Sequence, residues 1–411
     1  MTIDVRPLEP DHWDRWYDTF LGAFGGGDEP EESRRLDHDL VETERALAAW
    51  DGDDIVGSAG TFSFRTVVPG GALVPAAGLT LVGVSATHRR RGVLTAMMRR
   101  QLDDVRAAGE SLALLTASEP GIYGRFGYGA ATRQLIARID TGRVRLTVPP
   151  GADEVALRYA DPAEALAACE EVYARVVAGG RPGMLARAPH WERRPLLDEA
   201  RSPGSGSKLR CVLATRDGRT VGYARFRTTP QWGPYATPDG TVELRDLEAL
   251  DPAAYGALWR FLFGIDLMST VAVGNAPLDD AWQHMVSDIR RCAVTVRDSL
   301  YVRLVDVGAA LAARTYRTPV DVVLDVTDGF CPWNEGRWRL VGDAKGASCE
   351  RTTDAADLAL SARELGAAYL GDVSLTALAA AGRVRELREG AAAAASAGFG
   401  SDVAPWLPHG F

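Results

Sequence analysis

The chain has 411 residues, 46% of them hydrophobic and 25% charged, and carries a formal net charge of −9. This composition excludes a disordered or fibrous protein and leaves room for about three globular domains. The acidic balance excludes a global basic footprint for nucleic acid, and no run approaches the ~18 apolar residues that would argue a membrane span.

Cys169, Cys211, Cys292, Cys331 and Cys349 are scattered and show no C-x-x-C pairing. Neither a disulfide framework nor a zinc site is expected, and no metal at all. The N-terminus MTIDVRPLEPDHWDRW has no signal-peptide core, so the expected location is cytoplasmic.

In chain order, Ile3 to Leu8 reads as a strand, and Trp13, Trp16, Tyr17, Phe20 and Phe24 recur at helical spacing. A Gly-rich turn with Asp28 and Glu29 leads into a charged run, best read as a solvated helix face. Residues 46–64 read as two strands around an Asp-Gly turn, and 78–84 as another strand. A helix follows to about Ala107, with Leu94, Met97, Met98, Leu102 and Val105 on one face and Gly109 ending it. SLALLTAS is a buried-strand pattern, and YGRFGYG at 123–129 is an aromatic-glycine loop.

A Pro-Pro-Gly turn near Val148 marks a boundary. Pro162 to Val177 reads as a helix, 200–210 as a loop, and the segment around Asp217-Gly218 as a hairpin. TVELRDLEAL and DPAAYGALWRFLFGI then repeat the earlier strand-helix order, which suggests an internal duplication. A third segment starts near Arg297. In it VDVVLDVTD and GRWRLVG read as strands, ADLALSARELGAAYLG and SLTALAAAGRVREL as helices, and REGAAAAASAG as alanine-rich helix or filler. The fold class is mixed α/β (α+β).

The segment SATHRRRGVLTAMM, residues 85–98, sets a puzzle. Three arginines stand at a helix start, where the helix dipole disfavours cations. A bound anion resolves it. The first-turn N–H groups of a helix that follows a strand and a tight turn converge on one spot and suit a phosphate. Gly92 would allow close approach to the main chain, and Arg89 and Arg90 would add charge-assisted contacts.

Arg89-Arg90-Arg91-Gly92-Val93-Leu94 resembles the pyrophosphate loop of the GNAT acetyltransferases, with Leu94 in place of a third small residue. VSATHRRRGVLTAMMRRQL, then LLTASEPGIYGRFGYGAAT, a degenerate second copy and a third domain ending in Phe resemble the Eis (enhanced intracellular survival) acetyltransferases over essentially the whole chain. The resemblance implies a GNAT domain at 1–148, a degenerate GNAT-like domain at 149–296 and a sterol carrier protein-like domain at 297–411. It implies acetyl-CoA as co-substrate, a homohexamer, and acetylation of small-molecule amines, aminoglycosides among them.

Carried over, Tyr123 matches the family's general acid and the α-carboxylate of Phe411 its general base. Val82, Val84, Arg89, Arg90, Gly92 and Leu94 match its acetyl-CoA contacts, with Ser118 and Arg125 as further cofactor candidates. Whether the carboxylate takes the proton directly or through water stays open, and His409 is the alternative base. Aminoglycoside-modifying relatives tend to carry an acid just before the terminal Phe; here that residue is Gly410. Asp28 and Glu29 are the candidates to replace that charge. In the second copy Leu250-Asp251-Pro252 lacks both arginine and glycine, so no CoA is expected there. The alternatives are a protein lysine acetyltransferase and a lipid-binding carrier or scaffold.

Overall fold

The structure, a computed structural model, describes residues 3–27, 29–197 and 206–411. Asp28 and residues 200–205 of the expected loop lie outside the described residues. The first stretch runs β1 (Asp4–Pro7), α1 (Trp13–Ala23), α2 (Glu31–Leu40), β2 (Leu47–Asp51), β3 (Asp54–Val67) and β4 (Leu73–Val84). Then come α3 (Val93–Ala107), β5 (Leu112–Thr116), the single turn α4 (Pro120–Tyr123) and β6 (Gly129–Ala130). The middle holds β7 (Arg133–Asp140), β8 (Ala156–Ala160), α5 (Leu166–Ala178), β9 (Leu185–Ala186), β10 (Arg210–Arg216), β11 (Arg219–Thr229), β12 (Gly240–Ala249), α6 (Pro252–Phe263), β13 (Met268–Ala276) and β14 (Thr295–Asp298). The last third holds β15 (Leu300–Leu304), α7 (Val307–Ala312), β16 (Val320–Thr327), β17 (Gly336–Asp343), β18 (Gly346–Arg351), β19 (Leu358–Ser361), α8 (Ala362–Ala368), α9 (Leu375–Ala380), β20 (Val384–Glu386) and α10 (Ala391–Phe399).

These elements gather into two units. One comprises Met1–Thr132, Arg181–Ala186 and Asp298–Phe411; the other comprises Arg133–Gly180 and Arg187–Arg297. The first unit's main sheet has the order β1-β2-β3-β4-β5-β15-β6, with β9 on β3. Its ladders are antiparallel except β4–β5, which is parallel because α3 carries the chain back between them. Val93, Met97, Met98, Leu102 and Val105 of α3 bury against Ala49, Ala77, Leu79, Ala113 and Leu115 of the sheet. Trp13, Trp16 and Tyr17 of α1 pack with Ala48, Trp50 and Ile55 in a separate cluster. The charged α2 is not a purely solvated face, since Ser33, Leu36, Asp37 and Leu40 are buried.

The second unit repeats the plan. β10, β11 and β12 are antiparallel neighbours, α6 crosses over, and β13 returns parallel to β12. Phe226, Val242, Leu258, Trp259 and Val271 form part of its core. The strand beyond each parallel junction is exchanged in sequence. β7, directly after the first copy, pairs with β13 of the second sheet. β15, directly after the second copy, pairs with β5 of the first.

The last third adds a sheet of order β18-β17-β16-β19-β20 to the first unit. Here two expected helices divide. Leu358 and Leu360 alternate inward on β19, parallel to β16, and Ser361 then caps α8 by accepting from the Arg363 N–H. Likewise α9 stops at Ala380, Gly382 turns the chain at φ +69°, and Val384 begins β20. A tertiary ladder overrides helical propensity in both. α8 lies directly on β6: a Cβ on Gly129 would collide with the Arg363 carbonyl and the Ala367 N–H. Gly129→Ala is therefore expected to lower stability by about 1–3 kcal/mol through overpacking, read as a fall in the thermal or urea midpoint. An unchanged midpoint would show that α8 can shift freely.

Candidate active site

The sheet of the first unit opens along one line. β4 and β5 pair only at Ala76↔Leu112, Ala77↔Ala113 and Gly78↔Leu114, although β4 continues to Val84. Beyond Gly78 the strands part, and the β5 side of Leu79–Val84 has no strand partner among the described residues. A β-bulge marks the same stretch. The register with β3 shifts between Ser58 and Gly60, and Leu81 adopts φ +49°, a left-handed conformation uncommon for a non-glycine residue. The Ser58 hydroxyl donates to the Leu81 carbonyl at 2.9 Å and holds the kink. Val82 and Val84 line the parted edge, both half-buried.

Past Val84 the chain turns through Ser85–Gly92 into α3. His88 Nε2 lies 3.1 Å from Asp51 Oδ2, and its Nδ1 lies 2.8 Å from the Thr87 hydroxyl, which ties the turn to the end of β2. Arg90 and Gly92 have φ of +63° and +83°. A Cβ on Gly92 would meet nothing within 4 Å, so backbone conformation rather than crowding is what glycine serves there. The first intrahelical bond of α3 runs from the Ala96 N–H to the Gly92 carbonyl. The N–H groups of Val93, Leu94 and Thr95 are thus left at the helix end, and Gly92 has no side chain to cap them. Arg89 and Arg90 stand exposed beside that end.

Tyr123 closes α4, half-buried, its ring edge-to-face with Tyr128 at 6.1 Å. Burial, aided by the charge of Glu119, pushes its phenol up to about 12. Val82, Val84, Leu94 and Tyr123 all pack on the core beneath α3. The chain's last residue comes to the same sheet. The Phe411 ring lies edge-on to Phe64 of β3 at 4.8 Å. A Cβ on Gly78 would lie 3.2 Å from it, so Phe411 rests at the last paired residue before the strands part.

Residues 4–131 match the acetyltransferase (GNAT) domain, residues 183–304 match a second acetyltransferase (GNAT) domain, and residues 307–408 match the sterol carrier protein domain. The N-acetyltransferase Eis of Mycobacterium tuberculosis is 33% identical over 415 residues, covering 98% of each chain. The crystal structure of Eis1 from Mycobacterium abscessus matches with a TM-score of 0.84 at 35% identity, covering 100% of both chains. The chain belongs to the Eis family of GNAT N-acetyltransferases. An uncharacterized N-acetyltransferase of Streptomyces avermitilis is 66% identical over 411 residues, 100% of each chain.

An Eis-family GNAT uses acetyl-CoA, and the first unit's residues suit it: a parted strand edge for an extended arm, and a helix end with two arginines for phosphates. The second copy lacks that chemistry. Asp251 caps α6 by accepting from the Ala254 N–H at 2.9 Å and pairs with Arg216 at 3.0 Å. Burial works against its charge, but the Ala254 N–H and Arg216 hold its carboxyl below the usual range. That helix end is already occupied by a carboxylate.

The other expected residues fall as follows. Ser118 is exposed just past β5. Arg125 is exposed and donates through Nε to the Ile122 carbonyl at 3.0 Å, closing the loop that carries Tyr123. Glu29 Oε2 accepts from the Tyr17 hydroxyl at 2.5 Å, and Asp37 Oδ2 lies 2.7 Å from the same oxygen. Burial and the two carboxylates raise the Tyr17 phenol far above its ordinary value. No helix among the described residues is long and apolar enough to cross a membrane.

Sequence reasoning missed the support beneath the Tyr123 loop. A Cβ on Gly127 would lie 2.7 Å from the guanidinium carbon of Arg303, and one on Gly124 would lie 2.9 Å from that of Arg363. Arg303, fully buried on β15, donates to both oxygens of Asp328 at 2.8 and 2.6 Å. Asp328 also accepts from the Cys331 N–H and the Asn334 amide. The signal was there: one arginine in the otherwise apolar run LYVRLV.

Proposed function

We propose that this chain transfers the acetyl group of acetyl-CoA to an amine of a cationic small molecule such as an aminoglycoside, with catalysis in residues 1–148. The observation that supports the reading is the seat of the Phe411 ring at Gly78, the last paired residue before β4 and β5 part.

In this reading Arg89, Arg90 and the α3 N-terminus hold the pyrophosphate, while Val82, Val84 and Leu94 flank the arm, with Ser118 and Arg125 at the margin. Acetyl-CoA supplies a thioester whose sulfur leaves as a thiolate. The attacking amine must first lose a proton, and the Phe411 carboxylate accepts it, directly or through water. Tyr123 donates to the departing sulfur. Its phenol is protonated at neutral pH, as an ordinary tyrosine is, and burial pushes it further up to about 12. The gap to a thiol of ordinary pKa ~8.5 is wider than for an exposed tyrosine. The hydroxyl therefore acts chiefly by hydrogen-bonding the developing charge. Glu29, already bound to Tyr17, contributes negative field for a cationic acceptor. Exposed Trp232, Tyr235 and Leu267 on the second unit support assembly into the homohexamer the family resemblance implies.

The test is release of free CoA from acetyl-CoA with kanamycin or neomycin as acceptor. Turnover is expected, and the paired change Arg89→Ala with Arg90→Ala should raise the KM for acetyl-CoA roughly tenfold by removing charge-assisted contacts. Turnover only with a lysine peptide would transfer the reading to a protein acetyltransferase. Apolar ligand binding to 297–411 without turnover would favour a carrier.

A further inference from the structure

The tail Gly400–Phe411 contains no helix or strand, yet the structure grips it at intervals. Arg314, fully buried, donates to the Phe399 carbonyl at 2.7 Å and also to that of Tyr369, fixing the end of α10. Arg317 pairs with Asp402 at 2.9 Å. The next two grips come from the middle of the sequence. Arg181 Nη1 donates to the Ala404 carbonyl at 2.6 Å, and the Trp406 N–H donates to the Pro182 carbonyl at 2.8 Å.

The segment Arg181–Ala186 belongs to the first unit although the chain on either side of it does not. It is laid between β3 and the tail. On one side Leu185 and Ala186 pair with Thr66 and Arg65, the Gly183 N–H donates to the Val67 carbonyl, and the Val67 N–H donates to the Met184 carbonyl, both at 2.8 Å. On the other side lies Trp406. Gly183 has φ +89°, and a Cβ on it would stand 3.0 Å from the Trp406 carbonyl oxygen and 3.2 Å from its nitrogen. Any side chain there pushes the tail's backbone away from β3. Only four residues, Leu407 to Gly410, then separate Trp406 from Phe411. Leu407 is buried, and Pro408 narrows the backbone freedom. Phe411 itself touches Phe64, also on β3. One strand is thus the reference for both ends of the last stretch.

We propose that Arg181 and Gly183 are positioning residues that set the register of the tail and so aim the Phe411 carboxylate. This rests on the reading of that carboxylate as the base. The contacts of both residues with the tail act on its geometry, where a displacement of about 1 Å can cost up to a hundredfold in rate.

The experiment compares Arg181→Ala, Gly183→Ala and Arg181→Lys with the native chain and with a chain carrying one extra residue after Phe411. Each is measured for kcat, the pH profile of kcat/KM, the acetyl-CoA Kd and the melting temperature. Both alanine variants are expected to lose about tenfold or more in kcat and to shift the acid limb of the profile, with Kd within about twofold of native. Arg181→Lys should recover most of the rate, because an ammonium also donates to the Ala404 carbonyl. If the extended chain is inactive while both alanine variants keep native kcat and an unshifted limb, the inference is overturned and the base reading stands. If the extended chain is fully active, the base reading itself fails. Should Gly183→Ala not fold, the Arg181 pair carries the comparison.

Discussion

Appending one residue after Phe411 is expected to lower kcat by about a hundredfold or more while leaving acetyl-CoA binding intact. The extra residue turns the Phe411 carboxylate into a neutral amide that accepts no proton near neutral pH and moves the terminal charge one residue, about 3.8 Å, further along the chain, whereas the ring can keep its contacts with Phe64 and Gly78. The loss therefore separates the position of the charge from the packing of the ring, and a general base supplies typically 10²–10⁴-fold. A chain ending at Gly410 asks a different question. It still ends in a carboxylate, but one residue short, about 3.8 Å back along the chain, and without the ring that seats it. Similar losses in both chains indicate that chemistry and position are each required. The working form of that base is the carboxylate, so its protonation sets the acid limb of kcat/KM, and that limb should shift or disappear on extension. Native turnover by the extended chain would assign the base elsewhere, with His409 the first residue to change.

Tyr123→Phe is the second large effect, expected at about a hundredfold in kcat with little change in acetyl-CoA Kd. The substitution removes one oxygen and keeps the ring against Tyr128, and the loop stays supported by Arg303 and Arg363 beneath Gly127 and Gly124. The sign of the pH dependence follows from the raised phenol. The working form is the protonated one, and a group pushed up to about 12 loses its proton only as the pH approaches that value. The native enzyme should show no alkaline fall from Tyr123 below about pH 10, and the variant's profile on that side should have the native shape at reduced height. A native alkaline limb between about pH 8 and 10 that vanishes in Tyr123→Phe would contradict the burial argument. An unchanged kcat would remove Tyr123 from the mechanism.

The candidate phosphate site was legible because its causes are local. A strand, a turn and a helix start follow one another within Val82–Leu94, and misplaced positive charge at a helix end is visible without coordinates. The different residues of the second copy were equally legible, and Asp251 there caps the helix start. The duplicated strand-helix order could also be read along the chain, and it became the two sheets with parallel junctions at β4–β5 and β12–β13. Periodicity failed where helix and strand share one short segment. ADLALSARELGAAYLG carries both β19 and α8, and only the ladder to β16 decides where one ends.

The sequence by itself determined the mixed α/β class, the arginine-glycine turn ahead of α3 and the aromatic-glycine loop that begins at Tyr123. Tertiary structure alone decided which strands change places, so that β15 rather than β7 completes the first sheet. It also decided that Glu29 binds Tyr17, that Arg303 and Asp328 support the loop, and that Arg181–Ala186 lies between β3 and the tail. The physical reason is range. Turn chemistry and helix ends act over a few residues and leave marks in composition. The β5–β15 ladder and the seat of the chain terminus join residues more than a hundred positions apart, the Arg303–Asp328 pair joins residues 25 apart, and no local pattern encodes their partner.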